Sequence, residues 1–244
     1  MEFLAPLMFA SLVVFLLLGY PVAFSLAANG MMFATIAIYT GAFEFSLMQA
    51  LPERVYGIAS NQTLLAIPFF TFMGLILERS GMAEDLLDTL GQLMGRLRGG
   101  LAYAVILVGA LLAATTGVVA ASVIAMGLIS LPIMLRYGYD KRLSAGVIAA
   151  SGTLAQIIPP SLVLIVLADQ MGASVGEMYK GAIIPGLMLV GLFMLFVLAV
   201  SIFKPSAAPA LPKEAHTLSH AQLVQRVFTS LIPPLVLIFL VLGT

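Results

Sequence analysis

The apolar positions of this chain fall into long tracts that contain no charged residue. These charge-free tracts cover residues 3–43, 55–77, 99–135, 143–168, 181–203 and 227–244. A helix of about 20 apolar residues crosses the ~30 Å hydrocarbon core of a membrane. A helix also hydrogen-bonds its backbone N–H and C=O groups to one another, which is necessary in hydrocarbon because no water is present to bond them. The pattern therefore predicts an all-α polytopic membrane protein built as a bundle of transmembrane helices.

The first two tracts predict scaffold helices of this bundle. Gly19-Tyr20-Pro21 interrupts the first tract, because glycine commonly ends a helix and proline commonly starts one. We therefore expect helices over 3–19 and 22–42, then a short interfacial stretch, then a third helix over 62–77.

Residues 82–98 have a different pattern. Their apolar side chains recur at helical spacing, with acidic residues in the early turns and Arg96 and Arg98 in the last. This pattern predicts an amphipathic helix that lies along the membrane interface or packs on the bundle.

The tract over 99–135 fits either one long tilted helix or two short helices folded into a re-entrant hairpin. Lysine and arginine distinguish the two, because they concentrate in loops on the cytoplasmic side. A hairpin puts nine of these residues on one side of the membrane and two on the other, whereas a single span gives seven and four. We therefore predict the hairpin, with its turn near Ala114-Thr115-Thr116-Gly117.

The tract over 143–168 predicts a broken transmembrane helix. Pro159 and Pro160 remove two backbone donors and disfavour helical geometry in the residue before each. A break at membrane depth is tolerated where its freed groups face protein or a wet cavity. It creates a carbonyl-rich helix end suited to Na⁺ and an amide-rich start, which Ser161 can cap, suited to a carboxylate. A simple proline kink is the alternative.

Small polar residues mark candidate binding positions at the break and at the hairpin tip. The candidate substrate-binding residues are Ser151, Gly152, Thr153, Pro159, Pro160 and Ser161, and the candidate Na⁺ ligands are Thr115, Thr116, Gly117, Ser122 and Ser151. Small residues also permit close helix packing, which is the alternative explanation of the tip.

Composition removes several other classes of function. The charge-free spans offer no Asp, Glu, Lys, Arg, His or Cys for a catalytic base, a nucleophile or a metal cage, so we expect neither enzyme activity nor a resident cofactor. Eleven basic residues balance eleven acidic ones, so no basic surface indicates nucleic acid. His216 and His220 are spaced like a metal pair but have no third ligand nearby in the sequence.

Four motifs follow one another along the chain. They are Leu65-Ala66-Ile67-Pro68-Phe69-Phe70, Thr116-Gly117 within an alanine-rich run, Pro132-Ile133-Met134 followed by Gly138-Tyr139, and Ser151-Gly152-Thr153 with Ile158-Pro159-Pro160-Ser161. In this order they resemble the large membrane subunit of TRAP transporters, the DctM-type permease, over essentially all 244 residues.

This resemblance implies a bacterial inner-membrane secondary transporter that is driven by a Na⁺ gradient and imports organic anions such as dicarboxylates. The implied partners are a small membrane subunit, a periplasmic substrate-binding protein and the lipid bilayer. The implied fold has two inverted repeats, each with a hairpin and a broken helix, which move elevator-fashion against a scaffold.

On this basis residues 1–203, ending with a helix over 181–203, form the first repeat. Residues 204–226 are a cytoplasmic linker, and 227–244 are the truncated start of the second repeat. The remaining C-terminal half of the permease is then a further partner. Val118 stands where many relatives have serine, so one hydroxyl ligand is missing from the hairpin tip. A structural membrane subunit and a carrier of another ion-coupled family are the alternative functions.

Overall fold

The computed structural model describes residues 3–212 and 220–243, and every regular element in them is a helix. The α-helices are α1 (Leu4–Leu17), α2 (Val22–Tyr39), α3 (Ser46–Gln49), α4 (Leu51–Ala59), α5 (Gln62–Arg79), α6 (Met82–Met94), α7 (Gly100–Thr116), α8 (Val119–Arg136), α9 (Lys141–Thr153), α10 (Leu162–Met171), α11 (Val175–Phe203) and α12 (His220–Gly243). Short 3₁₀ turns cover Leu154–Gln156 and Pro205–Ala207. The all-α membrane bundle expected from the sequence is confirmed, and α2 and α11 are each long and apolar enough to cross a membrane.

The chain divides into two compact units, Met1–Asn61 and Gln62–Thr244. In the first unit, a polar clamp joins α1 to α2 at the buried Asn29. The Asn29 side-chain amide donates to the carbonyl oxygen of Met8 at 3.0 Å, and the Ser11 hydroxyl donates to Asn29 Oδ1 at 2.6 Å. Such bonds between membrane helices stabilise the pair by roughly 0.6–2 kcal/mol and fix its register.

The interfacial stretch of the first unit is more helical than the sequence pattern suggested, because it contains α3 and α4. Pro52 lies in the first turn of α4, where its missing N–H costs nothing, and Glu53 in the same turn favours the positive helix end. The charged and proline residues that suggested a connecting segment are therefore the start signals of a helix.

The core of the second unit is built around α7, which packs against α5, α6, α8, α9, α11 and α12. Residues on every side of α7 are buried, including Ala102, Val105 and Ile106. A helix that is apolar all round is expected to be enclosed by other helices. The amphipathic α6 covers one side of α7 with its apolar face, and it ends at Met94, earlier than the predicted residue 98.

A short strap over residues 204–211 ties three loops together at one end of this unit. The N–H of Gly99 donates to the carbonyl oxygen of Ala208, the N–H of Asp140 to that of Ala207, and the N–H of Leu211 to that of Gly95, at 2.8–3.0 Å. The turn before α7, the turn between α8 and α9 and the chain after α11 therefore share one end, as a hairpin over α7 and α8 requires.

Candidate functional site

The hairpin consists of α7 and α8, joined by Gly117 and Val118. Gly117 adopts a left-handed conformation with φ +61°, and Val118 is extended, so the chain reverses within two residues. A side chain on Gly117 would be strained in this conformation, which explains glycine at the turn. The side chains of Thr115 and Thr116 lie outside the described part of the structure. Ser122 is buried in the first turn of α8, where its N–H donates to the carbonyl oxygen of Val118.

The break separates α9 from α10. After Thr153 the backbone tightens into the 3₁₀ turn Leu154–Gln156, then leaves helical geometry and resumes it at Leu162. The Pro159–Pro160 peptide bond within this segment is cis. The break therefore leaves two helix ends facing one irregular segment.

Ser161 bridges these two helix ends. Its hydroxyl donates to the carbonyl oxygen of Gln156 at 2.7 Å and accepts from the N–H of Leu164 at 3.4 Å. The capping role that the sequence suggested for Ser161 is confirmed, and the same hydroxyl also holds the last turn before the break. The residue is fully buried, so both contacts lie away from solvent.

The hairpin tip lies against the break. A β-carbon on Gly117 would lie 3.1 Å from Leu162 Cγ and 3.5 Å from both the amide nitrogen of Leu162 and the carbonyl oxygen of Pro160. Both α7 and α8 also contact the 3₁₀ turn Leu154–Gln156. Two features that lie more than 40 residues apart in sequence therefore form one site, which we call the tip–break site.

The tip–break site brings together helix ends of opposite polarity. The N-termini of α8 and α10 present backbone amides, which carry partial positive charge and favour anions. The C-termini of α7 and of the 3₁₀ turn present carbonyl oxygens, which favour cations. Backbone groups alone therefore supply attraction for both signs of charge in one place, without an ionisable side chain.

Two glycines in the neighbouring helices let α9 approach α7 and α8 closely. A β-carbon on Gly109 of α7 would lie 2.6 Å from Ser151 Cβ, and one on Gly152 would overlap Val123 of α8. Glycine permits such backbone approach between membrane helices. The start of the break is thereby fixed between the two arms of the hairpin.

The predicted polar residues of α9 occupy different sides of this helix. Ser151 is buried against Gly109, and its hydroxyl donates to the carbonyl oxygen of Ile148 at 2.9 Å. Gly109 precedes Gly117 by eight residues, about 12 Å along a helix. Thr153 is exposed, and its hydroxyl donates to the carbonyl oxygen of Ala150 at 2.7 Å. Each hydroxyl keeps acceptor capacity toward a ligand.

The two prolines also face different surroundings. The carbonyl oxygen of Pro160 lies beside the hairpin tip, whereas Pro159 lines an apolar cavity of about 440 Å³. Leu107 of α7 and Leu187 of α11 line the same cavity. The structure therefore gathers Gly117, Pro160 and Ser161 at one point, and it places Ser151, Thr153 and Pro159 around that point.

Sequence reasoning missed several backbone participants, namely the amide of Leu162, the carbonyl of Gln156 and the close approach at Gly109. Backbone groups leave no residue-type signal, so the first two could be found only from geometry. Gly109 did offer a signal, because it is an isolated glycine within an apolar helix.

The described residues that form the contacts of the tip–break site, namely Gly117, Gln156, Pro160, Ser161 and Leu162, are all uncharged. In residues 3–212 and 220–243, no group of three His, Cys, Asp or Glu side chains is placed to hold a metal ion. His216 lies outside the described residues.

Comparison with known proteins identifies the family. Residues 9–244 match the model of the family described as "Tripartite ATP-independent periplasmic transporter, DctM component". The C4-dicarboxylate TRAP transporter large permease protein DctM of Pseudomonas aeruginosa is 36% identical over 166 residues, which cover 68% of this chain and 38% of that protein. The protein of the same name from Vibrio cholerae is 34% identical over 208 residues, which cover 85% of this chain and 44% of that protein.

A further relative carries a different substrate name. The isethionate TRAP transporter permease protein DctMQ of Oleidesulfovibrio alaskensis is 32% identical over 190 residues, covering 75% of this chain and 28% of that protein. The chain thus spans less than half the length of these three relatives. The family match and the apolar helices agree on a multi-pass membrane protein. The chain belongs to the DctM component family of tripartite ATP-independent periplasmic transporters.

Proposed function

We propose that this chain contributes the first ion and substrate site of a large permease subunit that imports organic anions and couples their entry to Na⁺. The observation that carries the proposal is the contact of Gly117 with Pro160 and Leu162. It assembles two amide-rich and two carbonyl-rich helix ends at one point. Broken membrane helices use such ends to hold an anionic substrate group and a coupling cation together.

Each set of residues has a distinct role in this proposal. The amides at the start of α10, held by Ser161, attract the anionic group of the substrate, and Gly152, Pro159 and Pro160 shape the break around it. The Thr153 hydroxyl joins them by turning from the Ala150 carbonyl and donating to the substrate. The carbonyls that end α7, with Thr115, Thr116, Gly117 and Ser122, coordinate one Na⁺ at the tip. Ser151, which lies beside Gly109 and about 12 Å from the tip along α7, serves a second Na⁺ position. Both ligands are held by dipoles instead of full charges, so each can leave when the site opens.

The substrate class follows from the helix ends and from the relatives' names. A helix N-terminus attracts anions of several kinds, and the relatives are named for C4-dicarboxylate and for isethionate, which is a sulfonate. We therefore propose organic anions in general, with carboxylates as the first class to test.

The proposed assembly follows the family description. Its partners are a small membrane subunit, a periplasmic protein that delivers the substrate, and a second half of the permease that supplies another hairpin and broken helix. The proposed location is the bacterial inner membrane.

Uptake of labelled succinate into liposomes tests this function. The liposomes contain the full-length permease with its partner subunit and binding protein, and an inward Na⁺ gradient is compared with an equal K⁺ gradient. We expect succinate uptake with the Na⁺ gradient and none with the K⁺ gradient. Uptake that is indifferent to Na⁺ would indicate another ion-coupled carrier, and no uptake of any organic anion by the folded complex would indicate a structural subunit.

Two variants assign the two ligands separately. Ser151→Ala should raise the Na⁺ concentration for half-maximal uptake about fivefold, which corresponds to ~1 kcal/mol for one lost oxygen ligand, with the substrate KM unchanged. Thr153→Ala should raise the substrate KM and leave the Na⁺ dependence unchanged. Equal effects of both variants on both parameters would contradict these assignments.

A further inference from the structure

An open groove of about 640 Å³ lies between the start of α9 and the end of α11, on a different part of the unit from the tip–break site. Arg142, Lys204 and Asp140 line its mouth, and Val147, Phe196 and Val200 line its deeper part. The volume falls within the roughly 300–1,000 Å³ range of small-molecule sites. The groove therefore combines a charged entrance with an apolar interior.

The entrance carries an excess of positive charge. Arg142 and Lys204 are exposed, whereas Asp140 uses its carboxylate as the N-cap of α9, accepting from the N–H groups of Arg142 and Leu143 at 2.9 and 3.1 Å. The hydrogen bond from Leu143 lowers the pKa of Asp140 below its ordinary value of 3.8, and Lys204 adds to this effect. Asp140 therefore stays ionised and offsets one of the two cations, so Arg142 and Lys204 leave the entrance with one net positive charge to attract an anion.

The groove runs from one face of the membrane toward its interior. Lys204 directly follows Phe203, the last residue of the membrane-length helix α11, which places Lys204 at a membrane face. Phe196 lies eight residues earlier, about 12 Å deeper along the helix axis. The basic entrance therefore lies at the level of lipid headgroups, and the apolar interior at the level of acyl chains.

Gly146 keeps the interior of the groove open. It lies one turn of α9 beyond Arg142. Apart from its chain neighbours and the backbone of its own helix, no heavy atom of the described residues lies within 4 Å of the position that its β-carbon would take. A larger side chain at this position would fill the groove without disturbing the packing of α9.

We propose that this groove binds one anionic phospholipid, with the phosphodiester beside Arg142 and Lys204 and an acyl chain running past Gly146 to Phe196. A small soluble anion would match the entrance but leave the apolar interior unfilled. A zwitterionic lipid would fill the interior but gain less from the two cations, because basic sites between membrane helices favour anionic headgroups. The site is independent of the proposed transport function.

Native mass spectrometry of the full-length protein in detergent tests the site. The probes are phosphatidylglycerol and phosphatidylcholine with identical acyl chains, and the readout is the number of lipids retained. We expect tighter binding of phosphatidylglycerol, and a loss of about fivefold for each cation removed in Arg142→Gln and Lys204→Gln. The Asp140 cap survives Arg142→Gln because it uses the backbone N–H.

Gly146→Leu and a matched control separate groove binding from surface attraction. Gly146→Leu should abolish the specific phosphatidylglycerol adduct, whereas Gly181→Leu, at an open glycine on α11 outside the groove, should leave it unchanged. Equal retention of the two lipids, an undiminished adduct in Gly146→Leu, or full displacement by glycerol 3-phosphate would each overturn the proposal. Circular dichroism spectra must show equal helix content in all variants.

Discussion

The tripeptide Ile-Pro-Pro occurs twice in the chain, at residues 158–160 and 232–234, and its backbone differs between the two places. The first copy separates α9 from α10, whereas the second lies inside the uninterrupted helix α12. Each copy removes two backbone donors, and each proline constrains the residue before it. A double proline therefore permits a break in a membrane helix but does not by itself produce one.

The surroundings of the two copies explain the difference. Ser161 follows the first copy, is fully buried, and joins the two helix ends through Gln156 and Leu164. Leu235 follows the second copy, is 49% exposed, and has no hydroxyl with which to cap a helix. The first copy is also held by the hairpin tip at Gly117. A break persists where its freed groups acquire partners.

We expect the largest effect from a substitution that disrupts the packing of α9 against α8 before the first copy. A leucine at Gly152 would overlap the backbone of Val123, where even a β-carbon would lie 3.0 Å from the amide nitrogen. We expect Gly152→Leu to force α9 away from α8 and to cost about 3 kcal/mol, the upper part of the usual range for overpacking. Thermal unfolding followed by circular dichroism measures this loss.

Gly146→Leu is the matched control for this substitution. It introduces the same side chain on the same helix, where the β-carbon would contact no described residue within 4 Å other than its chain neighbours and the backbone of its own helix. We expect its unfolding temperature to equal or exceed that of the parent protein, because leucine is a better helix former than glycine. Equal destabilisation by the two substitutions would mean that α9 does not depend on its contact with α8.

The next effect concerns the hairpin tip. Gly117→Ala should cost about 1–2 kcal/mol, because an alanine at φ +61° is strained. Gly172→Ala is the control, since Gly172 has φ +64° and its β-carbon would meet no described atom within 4 Å. The strain should therefore be similar in both variants. Only Gly117→Ala should weaken Na⁺-dependent uptake, and an equal loss of uptake in Gly172→Ala would exclude the tip contact as the cause.

The sequence predicted the parts of the tip–break site that local chemistry determines. A glycine within a small-residue run indicated the turn at Gly117, and proline geometry indicated the break after Ile158. Both are properties of a few adjacent residues. The cap at Ser161 was accessible for the same reason, because a hydroxyl at the start of a helix bonds to an amide of its own first turn.

Other features depend on contacts between distant segments and were not predictable from pattern alone. The approach of Gly117 to Leu162 requires the packing of α7, α8 and α10. The continuity of α12 through its own double proline was unpredictable for a related reason, since the local sequence would favour a break there as well, and the tip contact that holds the first break comes from a distant segment. The helical conformation of α4 was missed because charged residues and Pro52 resemble both a loop and a helix start.

A smaller loss of stability is expected when the Ser161 cap alone is removed. Ser161→Ala should cost about 1 kcal/mol, because it removes the hydroxyl that joins the two ends of the break. Ser174 is the control, since it occupies the N-cap of α11 without making a capping hydrogen bond. Ser174→Ala should change the free energy of unfolding very little. A loss in Ser174→Ala as large as that in Ser161→Ala would contradict the assigned role of the Ser161 hydroxyl.

The smallest effect lies on α12, which carries the unbroken copy. Arg226 pairs with Asp88 of α6 at 3.7 Å, and both side chains are 54% exposed. Exposed ion pairs contribute little, so Arg226→Gln should change the free energy of unfolding by about 0.5 kcal/mol or less. Arg226→Gln tests the pair more cleanly than a change at Asp88, which also accepts from Gln92 at 3.1 Å.

Salt provides the second measurement for this pair. In about 1 M salt, where charges are screened within ~3 Å, the difference between the parent protein and Arg226→Gln should vanish. A loss above about 2 kcal/mol that persists in salt would show that α12 depends on Arg226 for its position. The helix that carries the unbroken copy would then also depend on a specific partner, as the broken copy depends on Ser161. The two copies would differ in the kind of partner that holds them, and both would have one.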